Sequence, residues 1–356
     1  MTSLAPYMEW AKLRPAVQWD LAGSNLLSCT VDDLPGCRDV IELNGLNPDG
    51  YPPLIDAIAH RYGVRSDNVA TATGAGGANF LAVAALAGNG DDVLVERPAY
   101  DPIVGALRLM GANVIRFDRR FDDGWAVDLD RLVSAVTART RLIVLTSPHN
   151  PSGALVSGEA LEVIGGAADR VGALVMVDEV YLDGVYTDRP RPAATMGDVF
   201  LSINSLTKSY GLSGLRAGWI LASPVIASRI RRVRDVMEGT GSIPSDLLAC
   251  HAFRHLDALE ARARSILVPN LERLARFMDE RDDLAWVRPA GGNVAFPQLT
   301  TERDTDELAE ILVRDHDTAI VPGRFFDMPR HFRIAFSGSA ETLDGGLERI
   351  AKVLDS

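Results

Sequence analysis

Between about residue 70 and residue 223, short β-branched runs alternate with longer stretches of helical periodicity. Asp92–Glu96, Asn113–Phe117, Arg141–Thr146, Leu174–Asp178, Val199–Ile203 and Trp219–Ala222 read as strands. Asn79–Ala87, Asp101–Met110, Leu129–Ala135 and Gly158–Arg170 read as the helices between them. Such alternation requires crossover connections, and these give a mostly parallel sheet sandwiched by helices, an α/β fold. In sheets of this kind ligands collect beyond the carboxyl ends of the strands.

The pattern changes after about Ser223. Arg229–Met237 and Asp246–Arg281 have helical spacing, with Pro244 and Pro269 expected as interruptions. A strand-like Val294–Leu299, a helix-like Thr305–Asp315, and a strand pair Ala319–Pro322 and Phe332–Phe336 complete a smaller α+β domain. The expected organisation is therefore an N-terminal arm and part of the small domain over residues 1–40, a large domain over 41–245, and a C-terminal small domain over 246–356. The arm, with isolated Leu4, Tyr7, Trp10 and Trp19, would pack either on a partner subunit or back on its own chain.

Composition narrows the function classes. The chain of 356 residues is 47% hydrophobic and 24% charged, enough to bury a large core. Its net charge of −12 repels phosphate backbones, so no nucleic-acid partner is expected. Arg229, Arg231, Arg232 and Arg234 read as a solvated helix face. Cys29, Cys37 and Cys250 form neither a CxxC pair nor an even set, which suggests reduced thiols in a cytoplasmic protein and no zinc site. No signal-peptide pattern opens the chain, and the most apolar stretch, Phe80–Ala87, is too short to span a bilayer, so no membrane partner is expected.

The most informative segment runs from Ser205 to Trp219, Ser-Leu-Thr-Lys-Ser-Tyr-Gly-Leu-Ser-Gly-Leu-Arg-Ala-Gly-Trp. By itself Lys208 reads as a solvated loop lysine. Arg216 follows behind two glycines, however, and Ser205, Thr207 and Ser213 supply hydroxyls. Cations among hydroxyls suit a phosphate monoester, and a desolvated lysine between cations has the lowered pKa that imine formation needs.

This segment resembles the cofactor-lysine signature of class I/II pyridoxal-phosphate-dependent aminotransferases, the aspartate aminotransferase fold. Further elements appear in that family's order: Thr73-Gly-Ala-Gly-Gly77, Pro98-Ala-Tyr100, Asn150-Pro-Ser-Gly153, Asp178-Glu-Val-Tyr181 and Phe332-Arg-Ile-Ala-Phe336. The resemblance spans roughly residues 20 to 350. It implies pyridoxal 5′-phosphate carried as a Schiff base on Lys208, which also serves as catalytic acid and base. Asp178 would hold the ring nitrogen protonated, while Asn150 and Tyr181 would donate to the phenolate oxygen and Tyr100 would stack on the ring. Backbone N–H groups of Ala75 and Gly76 at a helix start, with Ser205, Thr207 and Arg216, would hold the phosphate. Arg333, with Asn150, would hold the substrate α-carboxylate.

The activity implied is ping-pong transamination between an amino acid and a 2-oxo acid in a homodimer. A lyase, cyclase or decarboxylase of the same fold is the alternative. One departure stands out: relatives carry a tyrosine, reaching the neighbouring subunit's phosphate, where this chain has Gly45. Asn44 or Asn47 would replace that contact, or the phosphate would be held without it. Trp19, Gly23, Asn25 and Arg324 are further candidates for the substrate pocket, Arg324 being equally readable as a solvent-facing loop residue.

Overall fold

Seven strands form the central sheet of the protein, a computed structural model that describes residues 4–356. Across the sheet they run Val69–Thr73, Ala217–Leu221, Phe200–Ser205, Leu174–Asp178, Thr140–Thr146, Asp92–Arg97 and Asn113–Asp118. Only Ala217–Leu221 is antiparallel to its neighbours. The interior strands are buried almost throughout, because helices cover both faces and leave no side for polar residues. Each of the six strands read from the sequence is present within a residue or two of its expected ends. The edge strand Val69–Thr73 carried no such signal: Val-Ala-Thr-Ala-Thr is short and built largely of small residues.

That edge explains a correction. The arginine cluster is not simply a solvated face. On helix Pro224–Met237, Arg234 is buried and donates to Thr71 Oγ1 at 2.7 Å, and Arg231 donates to the Val69 carbonyl at 2.8 Å. The outward carbonyls of an edge strand need donors, and this helix supplies them. Arg229 and Arg232 remain exposed.

Pro269 does not interrupt a helix. It lies inside Leu256–Asp279 on the exposed face, where the carbonyl it leaves without a partner can meet water. Pro244 does mark a boundary, sitting in the first turn of Ile243–Phe253. The expected strand Val294–Leu299 is split at Pro297, which has no N–H to donate. Val294–Ala295 pairs with Phe332–Ala335, and Gln298–Leu299 pairs with Leu284–Ala285. Val321–Pro322 pairs antiparallel with Phe332–Arg333, while Thr318–Ala319 pairs in parallel with Trp19–Asp20. The arm folds onto its own chain: helix Pro6–Leu13 buries Tyr7, and Gly105 leaves room for the Leu4 carbonyl, which a Cβ there would meet at 2.2 Å. No helix among the described residues is long and apolar enough to cross a membrane.

One polar contact inside the core fixes the loops at the strand ends. Glu96 and Arg119 are buried and paired at 2.8 Å, and Glu96 Oε1 accepts from both the N–H and the hydroxyl of Thr146 at 2.7 Å. Thr146 Oγ1 in turn accepts from the Asn150 N–H at 3.1 Å. Replacing Arg119 by Leu leaves a buried carboxylate without its cation, which costs roughly 3–5 kcal/mol. Denaturant melting should show that loss; an unchanged midpoint would contradict it.

Candidate active site

The carboxyl ends of Val69–Thr73, Thr140–Thr146, Leu174–Asp178 and Phe200–Ser205, and the start of the reversed strand Ala217–Leu221, converge on a cavity of 380 Å³. That volume suits a small ligand. Ala75, Gly76, Tyr100, Asn150, Asp178, Tyr181, Ser205, Thr207, Lys208 and Arg216 all line it. Arg333 lies just behind, fully buried, donating to Asn150 Oδ1 at 3.0 Å. A larger cleft of 980 Å³ beside Arg61 and Arg189 lies elsewhere, and those arginines are paired with Asp183 and Glu260.

The chemistry centres on Lys208. Its Nζ donates to Ser24 Oγ at 2.7 Å and Asn25 Oδ1 at 2.8 Å. Burial lowers its pKa to about 7; the Arg333 and Arg216 charges push the same way, against Asp178. Asp178 ends its strand 4% exposed, and burial raises its pKa although the Asn79 amide and the Val180 N–H donate to it. A carboxylate buried so deeply calls for a cationic partner. Tyr181 is also buried, and burial pushes its pKa up to about 12, against the Arg333 charge and the Ser24 hydroxyl beside it. Tyr181 lines the cavity wall, where a buried hydroxyl can also serve a ligand.

At the other end the cavity is built for an anion. Helix Gly74–Leu86 begins there with no side-chain cap, because Thr73 Oγ1 is turned to Glu238 at 2.6 Å. Its first-turn N–H groups, including those of Ala75 and Gly76, are left for a ligand. Gly74 has φ +71°, and a Cβ on it would stand 2.3 Å from Arg216 Nη2. Gly218 is equally constrained, since a Cβ there would meet the Gly74 carbonyl carbon at 2.4 Å. The guanidinium of Arg216 is thus pressed against the helix start. It is exposed and donates to the Ser213 carbonyl at 3.2 Å.

The remaining candidates divide. Asn25 lines the cavity. Trp19 does not: its ring packs under Arg349 at 4.4 Å and fills the space over Gly345. Gly23 lies next to the Lys208 acceptors but is not among the lining residues. Arg324 also points away, pairing with Asp306 at the surface and lying over Phe325. Of the two substitutes near Gly45, Asn47 is committed within the chain, donating to Gly241 O at 3.0 Å and Asp246 Oδ2 at 2.8 Å. Asn44 is exposed.

Sequence reasoning missed Asn79, Met8, Ser24 and Tyr7. Tyr7 Oη accepts from Arg333 Nη2 at 2.6 Å, and Met8 lines the cavity beside Tyr100. Asn79, five residues past Gly74 in an otherwise apolar helix, was the one visible signal among them.

Residues 42–350 match the family Aminotransferase class I and II. The chain is 32% identical to a capreomycidine synthase from Streptomyces vinaceus, over 98% of this chain and 93% of that protein. Among solved structures, a PLP-dependent aminotransferase from Streptococcus suis 89-1591 superposes with a TM-score of 0.94 at 27% identity, covering 100% of this chain and 98% of the other. A PLP-dependent cyclase superposes with a TM-score of 0.89 at 25% identity, covering 100% and 97%.

The lowered Lys208 pKa gives a direct test. Only the neutral amine attacks a carbonyl, so the rate at which the cofactor-free protein forms an imine with an aromatic aldehyde should rise with pH through a midpoint near 7. Stopped-flow absorbance measures it; a midpoint near that of an ordinary lysine, about 10.4, would contradict the assigned environment.

Proposed function

The chain belongs to the class I and II aminotransferase family, and from that premise we propose that it transfers the amino group of an amino acid to a 2-oxo acid. Its cofactor is pyridoxal 5′-phosphate. The cavity fits that group: an uncapped helix start and Arg216 at one end, and a buried carboxylate and a buried tyrosine hydroxyl further in. When bound, the cofactor supplies an electron sink for the charge left at the substrate's α-carbon.

We assign the chain's own residues as follows. Ala75, Gly76, Ser205, Thr207 and Arg216 hold the phosphate. Asp178 keeps the proton on the ring nitrogen, Tyr100 covers a ring face, and Asn150 and Tyr181 donate to the ring oxygen. Arg333, with Asn150, orients the substrate carboxylate. The Asn150 carbonyl already faces Arg333, which leaves its N–H groups for the cavity. Lys208 carries the cofactor at rest, and its Nζ then takes the proton from the α-carbon and hands it on. The first oxo acid leaves before the second enters. The single observation that carries this reading is the convergence of an amine of lowered pKa, a buried carboxylate and two arginines at one cavity.

A second reading, cyclisation, has a specific observation behind it: a solved structure that superposes with a TM-score of 0.89 at 25% identity is named a PLP-dependent cyclase. The same lysine and carboxylate serve either outcome, which differ in what leaves the substrate. Mixing the holoenzyme with single amino donors, in the absence of an oxo acid, separates them. Transamination converts one equivalent of donor per site into a 2-oxo acid and leaves the amine form of the cofactor, seen by mass spectrometry. Continued turnover to a product that retains both its nitrogen and its carboxylate in a new ring would overturn transamination in favour of cyclisation.

We also propose a homodimer. Leu43 and Leu46 are 78% and 86% exposed, and Val236 is 89% exposed. They lie on two segments brought together where Gly45 packs on Ile243 and Asn47 bonds to Gly241. Apolar side chains so placed invite a partner surface. Sedimentation should give a dimer, and Leu46→Asp should weaken it at least tenfold; a monomeric parent protein would exclude the dimer.

A further inference from the structure

Every residue assigned above to the cofactor's ring stands on a loop or a strand end. Asn79 stands instead on the helix that starts at the phosphate end of the cavity, and it also lines the cavity. Its Nδ2 donates to Asp178 Oδ2 at 2.7 Å, with both side chains 4% exposed. We propose that Asn79 is a positioning residue for the cofactor's ring, its side-chain amide holding Asp178 ionised and fixed against the ring nitrogen. The proposal rests on the assignment of Asp178 to that nitrogen.

Helix Gly74–Leu86 is otherwise apolar along its buried length, so an asparagine there must find a partner or leave a polar group stranded. It finds the Asp178 carboxylate. The other carboxylate oxygen, Oδ1, accepts from the Val180 N–H at 3.1 Å. One donor on each oxygen fixes the carboxylate in place, and Asp178 lines the cavity. Asn79 Oδ1, by contrast, has no partner. The amide therefore serves Asp178 purely as a donor, and a donor stabilises the ionised form alone. Burial pushes Asp178 towards protonation, with the Asn79 bond the largest of the opposing effects, followed by the Val180 N–H and the Lys208 charge.

The consequence concerns where one proton resides. Without the Asn79 donor the ionised pair of Asp178 and a protonated ring nitrogen loses ground to the neutral pair, and the proton moves from the ring to the carboxylate. Asn79 also lies four residues beyond Ala75, on the same face of the helix. One rigid element thus meets the phosphate with its first turn and reaches Asp178 with its second. That arrangement sets the distance between the two anchoring points.

The test uses holoenzyme loaded with cofactor labelled with 15N in its ring, read by NMR chemical shift, together with the cofactor dissociation constant. Asn79→Leu, of similar volume, should shift the protonation equilibrium of the ring nitrogen at least about tenfold towards the unprotonated form, roughly one pH unit. It should also weaken cofactor binding. Asn79→Ala should do the same and serves if the leucine variant does not fold. Asp178→Asn is the reference and should leave the nitrogen unprotonated. If Asp178→Asn deprotonates the ring while neither Asn79 variant changes the shift, the role of Asn79 is refuted and that of Asp178 stands. If Asp178→Asn has no effect, the assignment of Asp178 fails and the proposal goes with it.

Discussion

The contact on which most of the site depends is the burial of the Arg333 guanidinium. It lies 0% exposed and bonds to Asn150 Oδ1, Tyr7 Oη and the Ala22 carbonyl. Those acceptors belong to a turn at the end of a central strand, the N-terminal helix and the segment that follows Trp19–Asp20. A buried cation is costly unless it is hydrogen-bonded on all sides, so three distant pieces of chain must meet at one point. The rings of Tyr7 and Phe326, at 4.9 and 5.4 Å, add cation–π attraction where water is absent. With its Nε unpartnered, the group is held firmly yet not saturated.

The same desolvation sets the electrostatics of the cavity. Arg333 and Arg216 lower the Lys208 pKa, Asp178 opposes them, and burial pushes the lysine and the aspartate towards their neutral forms. Lysine and carboxylate are thus both unsettled in the absence of a ligand. A bound group with one anionic end and one protonatable ring satisfies both ends at once. Buried ionisable groups with few partners, gathered at strand ends, are the expected form of a site that binds before it reacts.

Much of this was legible in the sequence because it is written locally. The strands from Asp92 to Leu221 announce themselves by β-branched runs, and the motifs at their ends carry backbone requirements, such as the glycine at 74 that lets Arg216 close in. What escaped is made by contacts between distant residues. Tyr7 and Arg333 are separated by 326 positions, and Asn79 and Asp178 by 99. Arg234 looked solvated because nothing in its own helix shows that an unpaired strand edge lies beneath it. Pro269 looked like a break because sequence alone does not show that its freed carbonyl would face water.

The division between what is shared and what is particular has a physical basis too. Groups that hold a common cofactor must meet a fixed set of atoms, which leaves the residue types at those positions little freedom. Around the Lys208 amine the chain places Ser24 and Asn25, and Met8 lines the same cavity beside Tyr100. Ser24 and Asn25 are neutral acceptors, which orient the amine without adding a charge that would stabilise its protonated form. An amine so held remains able to accept a proton near pH 7, which amino-group transfer and cyclisation both require. Neither the amine nor Asp178 distinguishes the two outcomes, so the choice between them lies with the substrate's own groups beyond its α-carbon and with the shape of a cavity that Met8 and Asn25 also line.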